Sequence, residues 1–90
     1  MKPLIYGLEV CPKCNRLKKF LSSQGIEYEE TDMQSPEAMT ELRCNGVFTI
    51  NAPVLQVGNV FLTTKEIFEG VDIQEDAVMW LVKPNRWVKV

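Results

Sequence analysis

A short apolar run, Leu4-Ile5-Tyr6, lies between Pro3 and Gly7, and Cys11-Pro12-Lys13-Cys14 follows a few residues later. This junction constrains the chain more than any other feature. The run is rich in strand formers and reads as a buried first strand extending toward Leu8. Pro12 suits a first helical position, where its missing N–H costs nothing. Cys14, Leu17 and Leu21 then fall at i, i+3 and i+7 on one helix face, and Phe20 widens it. Lys13, Arg16, Lys18 and Lys19 lie mostly elsewhere. Gly25 suits the left-handed position after the helix, with Ile26 touching Leu21 in a Schellman ending. The junction is therefore strand, cysteine pair, helix.

The elements continue to alternate. Residues 26–31 read as a second strand. Ser35 and Pro36 open a second helix that runs to about Cys44, where Asn45-Gly46 stops it. Pro53 precedes a strand over Val54–Val57. Gly58-Asn59 is a two-residue hairpin signal leading to a strand over Val60–Leu62. Thr63 and Glu66 have capping-box spacing, and Asp72 and Glu75 have it in looser form. They predict a short helical stretch over 64–69 and a longer one over 73–82, ended by Pro84. The tail Asn85–Val90 reads as irregular or as a short edge strand. A β-α-β start implies parallel first strands joined by a right-handed crossover. With the hairpin this predicts an α/β chain, a mixed four-stranded sheet with helices on its faces.

Length and composition bound what such a chain does. Ninety residues suit one domain over 1–90, with no repeat or linker. A net charge of −2 does not favour nucleic acid, which selects basic patches. The sequence has no histidine, which excludes imidazole bases, His-containing triads and H-E-x-x-H zinc sites. No apolar stretch is long enough for a membrane span or a secretory leader, so a cytoplasmic location is expected. Three cysteines, an odd number, do not suit a disulfide-stapled secreted scaffold.

The cysteine pair carries the chemistry. Thiol–disulfide exchange needs an exposed thiolate and a second thiol close behind it. A helix N-terminus lowers a cysteine pKa through its partial positive charge and free N–H groups. Cys11 stands at that end, and Lys13 and Arg16 add positive charge. Cys14 joins the Leu17/Leu21 stripe and is the more buried, resolving thiol. Two other readings stay open. The pair is then two small packed residues, or it supplies two ligands of a zinc or iron–sulfur site. In the metal reading Cys44 is a third ligand, and the fourth is a carboxylate or another chain's residue. Cys44 itself is expected to be a buried, inert thiol near the end of the second helix. Trp80 and Trp87 are expected to pack.

The strand Leu4–Leu8, the Cys11–Cys14 motif and Asn51-Ala52-Pro53-Val54-Leu55 together resemble the glutaredoxin and NrdH-type redoxin group, over residues 3 to about 62. The resemblance implies a glutaredoxin-like thioredoxin fold and a thiol–disulfide oxidoreductase. It implies Cys11 as nucleophile and Cys14 as resolving cysteine. It implies a cis Pro53 facing the disulfide, with the Ala52 backbone free to pair with an extended substrate segment. Pro12 and Lys13 complete the expected substrate-contacting set, with no metal and no bound cofactor. The implied partners are a disulfide-containing protein and, as electron donor, a reductase or a low-molecular-weight thiol; the chain is expected to be a monomer.

Departures from the group bear on the donor. Glutathione-binding members carry Lys or Arg shortly before the first cysteine, where this chain has Leu8. Their aromatic residue inside the motif is Lys13 here. Their Thr-Val-Pro segment is Asn51-Ala52-Pro53, and Leu62-Thr63-Thr64-Lys65 replaces their Gly-Gly-x-Asp turn. Thr63, Thr64 and Lys65 remain as possible carboxylate contacts. The Trp-Ser-Gly-Phe-Arg segment of the NrdH type is also missing. These departures favour reduction of protein disulfides over glutathione chemistry, with a glutathione-dependent glutaredoxin as the alternative.

Overall fold

The computed structural model describes residues 2–49 and 51–82. Strand β1 (Leu4–Gly7) leads through a short loop into helix α1 (Pro12–Ser23). Strand β2 (Glu29–Asp32) and helix α2 (Pro36–Cys44) follow. Strands β3 (Val54–Val57) and β4 (Val60–Leu62) form a hairpin, and a single helical turn, α3 (Thr64–Ile67), comes next. A small hairpin, β5 (Phe68–Glu69) with β6 (Asp72–Ile73), precedes helix α4 (Glu75–Val82).

The main sheet has the order β2-β1-β3-β4. β1 pairs with β2 in parallel and with β3 antiparallel, and β3 pairs antiparallel with β4. Alternation along β1 builds a core on each face. Ile5 packs with Leu17, Leu21, Leu55, Ile67 and Val78, which joins α1, α3 and α4 to one side. Tyr6 packs with Met33, Ala38, Leu42 and Val54, which seats α2 on the other. Leu17 and Leu21 are fully buried, and each contributes about 1.5–3 kcal/mol by leaving water.

Local chemistry explains where the helices begin and end. Ser35 Oγ accepts from Ala38 N–H at 3.2 Å, with Pro36 first in the helix. At the end of α1, Gly25 takes a φ of 71°. Its N–H donates to Ser22 O at 3.0 Å and Ile26 N–H to Leu21 O at 2.9 Å, a full Schellman ending. α2 ends the same way: Gly46 N–H donates to Arg43 O at 3.0 Å and Val47 N–H to Leu42 O at 2.8 Å.

Several expectations need correction. β2 begins at Glu29 rather than residue 26, because Ile26 completes the helix ending and packs into the core. The helical stretch over 64–69 stops at Ile67; Phe68 is extended and pairs with Ile73. The cause is Gly70, whose φ of 64° opens a tight turn that folds Glu69 back on Asp72. Asp72 is therefore a strand residue, and α4 starts at Glu75. Trp80 is 62% exposed rather than packed, since it lies two residues beyond the buried Val78, on the outer side of the helix. The expectations for Pro84, for Trp87 and for the tail over 85–90 lie outside the described residues.

Truncating a fully buried stripe residue tests this packing. Leu21→Ala should lower unfolding stability by about 2–5 kcal/mol, read as a lower denaturant midpoint at unchanged slope. Tyr6 gives a second test. Burial first, and the Glu41 charge second, raise its phenol pKa above the usual range. A raised acid pKa stabilises the fold fully below the unfolded value of about 10 and loses that contribution as pH rises through the folded value. Tyr6→Phe should remove this part of the alkaline decline, measured by denaturant titration above and below that pH.

Candidate redox site

The site is built where β1 hands over to α1. Cys11 is the N-cap of α1, extended at φ −150° and ψ 95°, and Pro12 is the first helical residue. Cys11 and Cys14 are joined in a disulfide with Cα atoms 5.2 Å apart. Cys14 N–H donates to Cys11 Sγ at 3.1 Å. The cap position usually held by a hydroxyl or carboxylate is thus held by sulfur. No acidic residue occupies the first turn of α1, so no carboxylate offsets the positive end of its dipole there.

The two sulfurs differ in environment. Cys11 is partly exposed, whereas Cys14 is 3% exposed and lies inside the core stripe. Gly7 leaves space for that sulfur. A Cβ at Gly7 would stand 3.3 Å from Cys14 Sγ, so the last residue of β1 has no side chain where the inner sulfur sits. Reading the motif alone does not reveal this. The available signal is a glycine at the end of a strand that leads into a cysteine pair.

The segment before β3 carries the other expected site residues. The Ala52-Pro53 peptide is cis, as the resemblance implied. Tyr6 pairs with Val54 at the end of the β1–β3 ladder, and Pro53, the next residue out from Val54, is buried. Thr64 Oγ1 donates to Pro53 O at 2.9 Å in a buried contact. The first residue of α3 thereby fixes the segment carrying the cis peptide. The other expected contact residues are more open: Ala52 and Lys13 are half-buried, and Pro12 is exposed.

The β5–β6 hairpin, absent from the sequence reading, gathers the nearby cations. Lys13 Nζ lies 5.7 Å from the centre of the Phe68 ring, within cation–π range. Arg16 donates to Val71 O at 3.0 Å.

Cys44 requires a correction. It is exposed and unpaired in a disulfide. The buried stripe of α2 is Ala38 and Leu42, and Cys44, two residues beyond Leu42, faces outward. Among the described residues no three of the Cys, Asp and Glu side chains are grouped to hold a metal ion. Cys44 does not join Cys11 and Cys14. Of Thr63, Thr64 and Lys65, named as possible carboxylate contacts, the threonines already donate their hydroxyls to Glu66 Oε1 at 3.0 Å and to Pro53 O at 2.9 Å, while Lys65 is exposed and lines an open pocket with both and with Asn51. Leu8 lines an apolar pocket of about 500 Å³ with Met33, Met39, Leu42, Val47 and Phe48.

The glutaredoxin family model matches residues 4–62. The fold is similar to the crystal structure of the glutaredoxin (grx-1) from Archaeoglobus fulgidus, with a TM-score of 0.64 and 21% identity over 91% of this chain and 86% of that one. That likeness bears on the fold, which is the glutaredoxin form of the thioredoxin fold. No curated protein matches the chain. Among the described residues no helix is long and apolar enough to cross a membrane.

Two outcomes follow from this geometry. In the native oxidised protein iodoacetamide should modify Cys44 alone, and all three cysteines after reduction and unfolding, counted by mass spectrometry. Thr64→Val should cost about 1–3 kcal/mol in chemical denaturation, because it leaves the buried Pro53 carbonyl without its donor.

Proposed function

The chain belongs to the glutaredoxin family and is a thiol–disulfide oxidoreductase, and from that premise we propose that it reduces protein disulfides through Cys11 and Cys14 with little or no dependence on glutathione. The observation that carries the reading is the disulfide at the N-terminus of α1, one sulfur accessible and the other buried.

In the reduced protein the Cys11 thiolate is favoured by the helix dipole and by the Cys14 N–H aimed at its sulfur. It attacks a substrate disulfide and forms a mixed disulfide, expelling one substrate thiolate. Cys14 then attacks Cys11 Sγ. The Cys11–Cys14 bond forms, and the second substrate sulfur leaves as a thiolate. Two electrons have passed from the protein dithiol to the substrate. Ala52 and Pro53 take the substrate segment, the Ala52 backbone pairing with it as an added strand. Pro12 and Lys13 contact it from between the cysteines.

Several features support a protein substrate over glutathione. Leu8 stands at the position where glutathione-binding members of the family carry a cation, and it lines a mostly apolar pocket whose polar rim is Gln34, Arg43 and Thr49. The Thr63 and Thr64 hydroxyls are already donated within the protein. α3 is one turn long and offers little dipole for a carboxylate. The reading includes a single domain over 1–90, a monomer, a cytoplasmic setting, and a reductase or a small thiol as donor.

The test is a pair of assays. Insulin reduction driven by dithiothreitol should proceed, and turnover of a small glutathione mixed disulfide coupled to glutathione reductase should be weak. Strong glutathione-linked turnover would overturn the donor assignment. Cys11→Ser should abolish insulin reduction; full activity in that variant would overturn the role of Cys11. Cys14→Ser should accumulate the mixed disulfide on Cys11, seen as added mass in the intact protein.

A further inference from the structure

If Cys14 is the resolving thiol, as proposed above, it must lose a proton while almost sealed from water. The pairing of β1 with β2 provides an exit. Ile5 stands beside Glu30, and Gly7 beside Asp32. Residues two apart on a strand share a face. Glu30 Oε2 accepts from Lys18 Nζ at 3.1 Å, and Lys18 belongs to α1. The face is therefore the one toward α1, and Asp32 leaves the sheet on that side, next to the glycine that makes room for Cys14 Sγ. On α1, Cys14 and Lys18 are four residues apart and share a face. Gly7, Glu9, Cys14, Lys18, Glu30 and Asp32 together line an open cleft of about 380 Å³.

We propose that this cleft is the proton exit of the resolving step, with Asp32 as the proton acceptor. The charged groups lining the cleft around Cys14 are Glu9 from the loop before α1, Lys18 from α1, and Glu30 and Asp32 from β2. Glu30 is committed to Lys18. Glu9 and Asp32 are both exposed, but Glu9 lies on the loop outside the paired strands, whereas Asp32 is held in β2 beside Gly7. Asp32 uses Oδ1 to accept from Gln34 N–H at 2.8 Å, so proton acceptance falls to Oδ2. In the mixed disulfide the Cys14 thiol passes its proton through water in the cleft to Asp32, and the resulting thiolate attacks Cys11 Sγ. The Cys11–Cys14 bond forms, and the bond from Cys11 to the substrate sulfur breaks. That sulfur leaves with the electron pair and is protonated from solvent, while Asp32 returns its proton to solvent. One water is within the reach of general base catalysis.

The experiment follows single turnovers of the reduced protein with a peptide disulfide. Samples are acid-quenched and weighed by mass spectrometry across pH 6–9. Asp32→Asn keeps an acceptor for Gln34 N–H. It should form the mixed disulfide on Cys11 at the wild-type rate and resolve it roughly a hundredfold more slowly near neutral pH. The deficit should shrink as pH approaches the thiol's own pKa, and added acetate should restore part of the rate. Asp32→Ser, which also accepts from Gln34, should show the same delay and guards against a folding defect peculiar to Asn. Unchanged resolution in both variants would overturn the proposal. So would equal slowing of the Cys11 attack, which would mean a general charge effect. If the wild type forms no mixed disulfide on Cys11, the parent reading fails and this one fails with it.

Discussion

The fit of Cys14 against Gly7 is the contact on which the rest of the site depends. A Cβ at Gly7 would stand 3.3 Å from Cys14 Sγ, so any side chain there would ask the inner sulfur to give by a few tenths of an ångström. The fit matters because Cys11 is placed relative to Cys14 by the disulfide and by the N–H···S bond. A strand end and a helix start thus meet at one position that carries no side chain, and the β1–β3 ladder ends one residue short of it, at Tyr6 and Val54.

The two halves of the chain contribute differently. Residues 4–62 hold the sheet, the cysteine pair and the cis proline, and these are the residues the family model covers. The segment after β4 supports them from the side. Thr64 ties α3 to the Pro53 carbonyl, and the β5–β6 hairpin draws Lys13 to Phe68 and Arg16 to Val71. Cationic side chains that would otherwise sample solvent near the redox pair are held in place by a hairpin two residues long on each side.

Much of this was legible from residue order. Pro12 and Pro36 marked helix starts, Gly25 and Gly46 marked helix ends, and Gly58-Asn59 marked a hairpin, because each is a local demand on φ that few other residues meet. The β5–β6 hairpin was hidden by a competing local signal. Thr63 and Glu66 promised a helix, and the turn at Gly70 follows directly after it. The exposure of Cys44 and Trp80 was missed because residue type was weighed over helix phase; each lies two residues beyond a buried neighbour, on the outer face. Gly7 carried a weak local signal, a glycine ending the strand that leads into the cysteine pair, but its neighbour Asp32 carried none. That pair arises from parallel pairing across twenty-five positions, and no local pattern encodes which residues will stand side by side.

The sheet's two rims are unlike in character. β2 is an edge strand made of Glu29, Glu30, Thr31 and Asp32, mostly exposed. Acidic side chains along an edge repel a like strand and discourage pairing there. β4, at the opposite rim, is only three residues long. A free strand edge is a template on which another extended chain can add. Here one rim is guarded by charge and the other by shortness, so neither edge of the sheet offers a long, uncharged strand for another chain to extend.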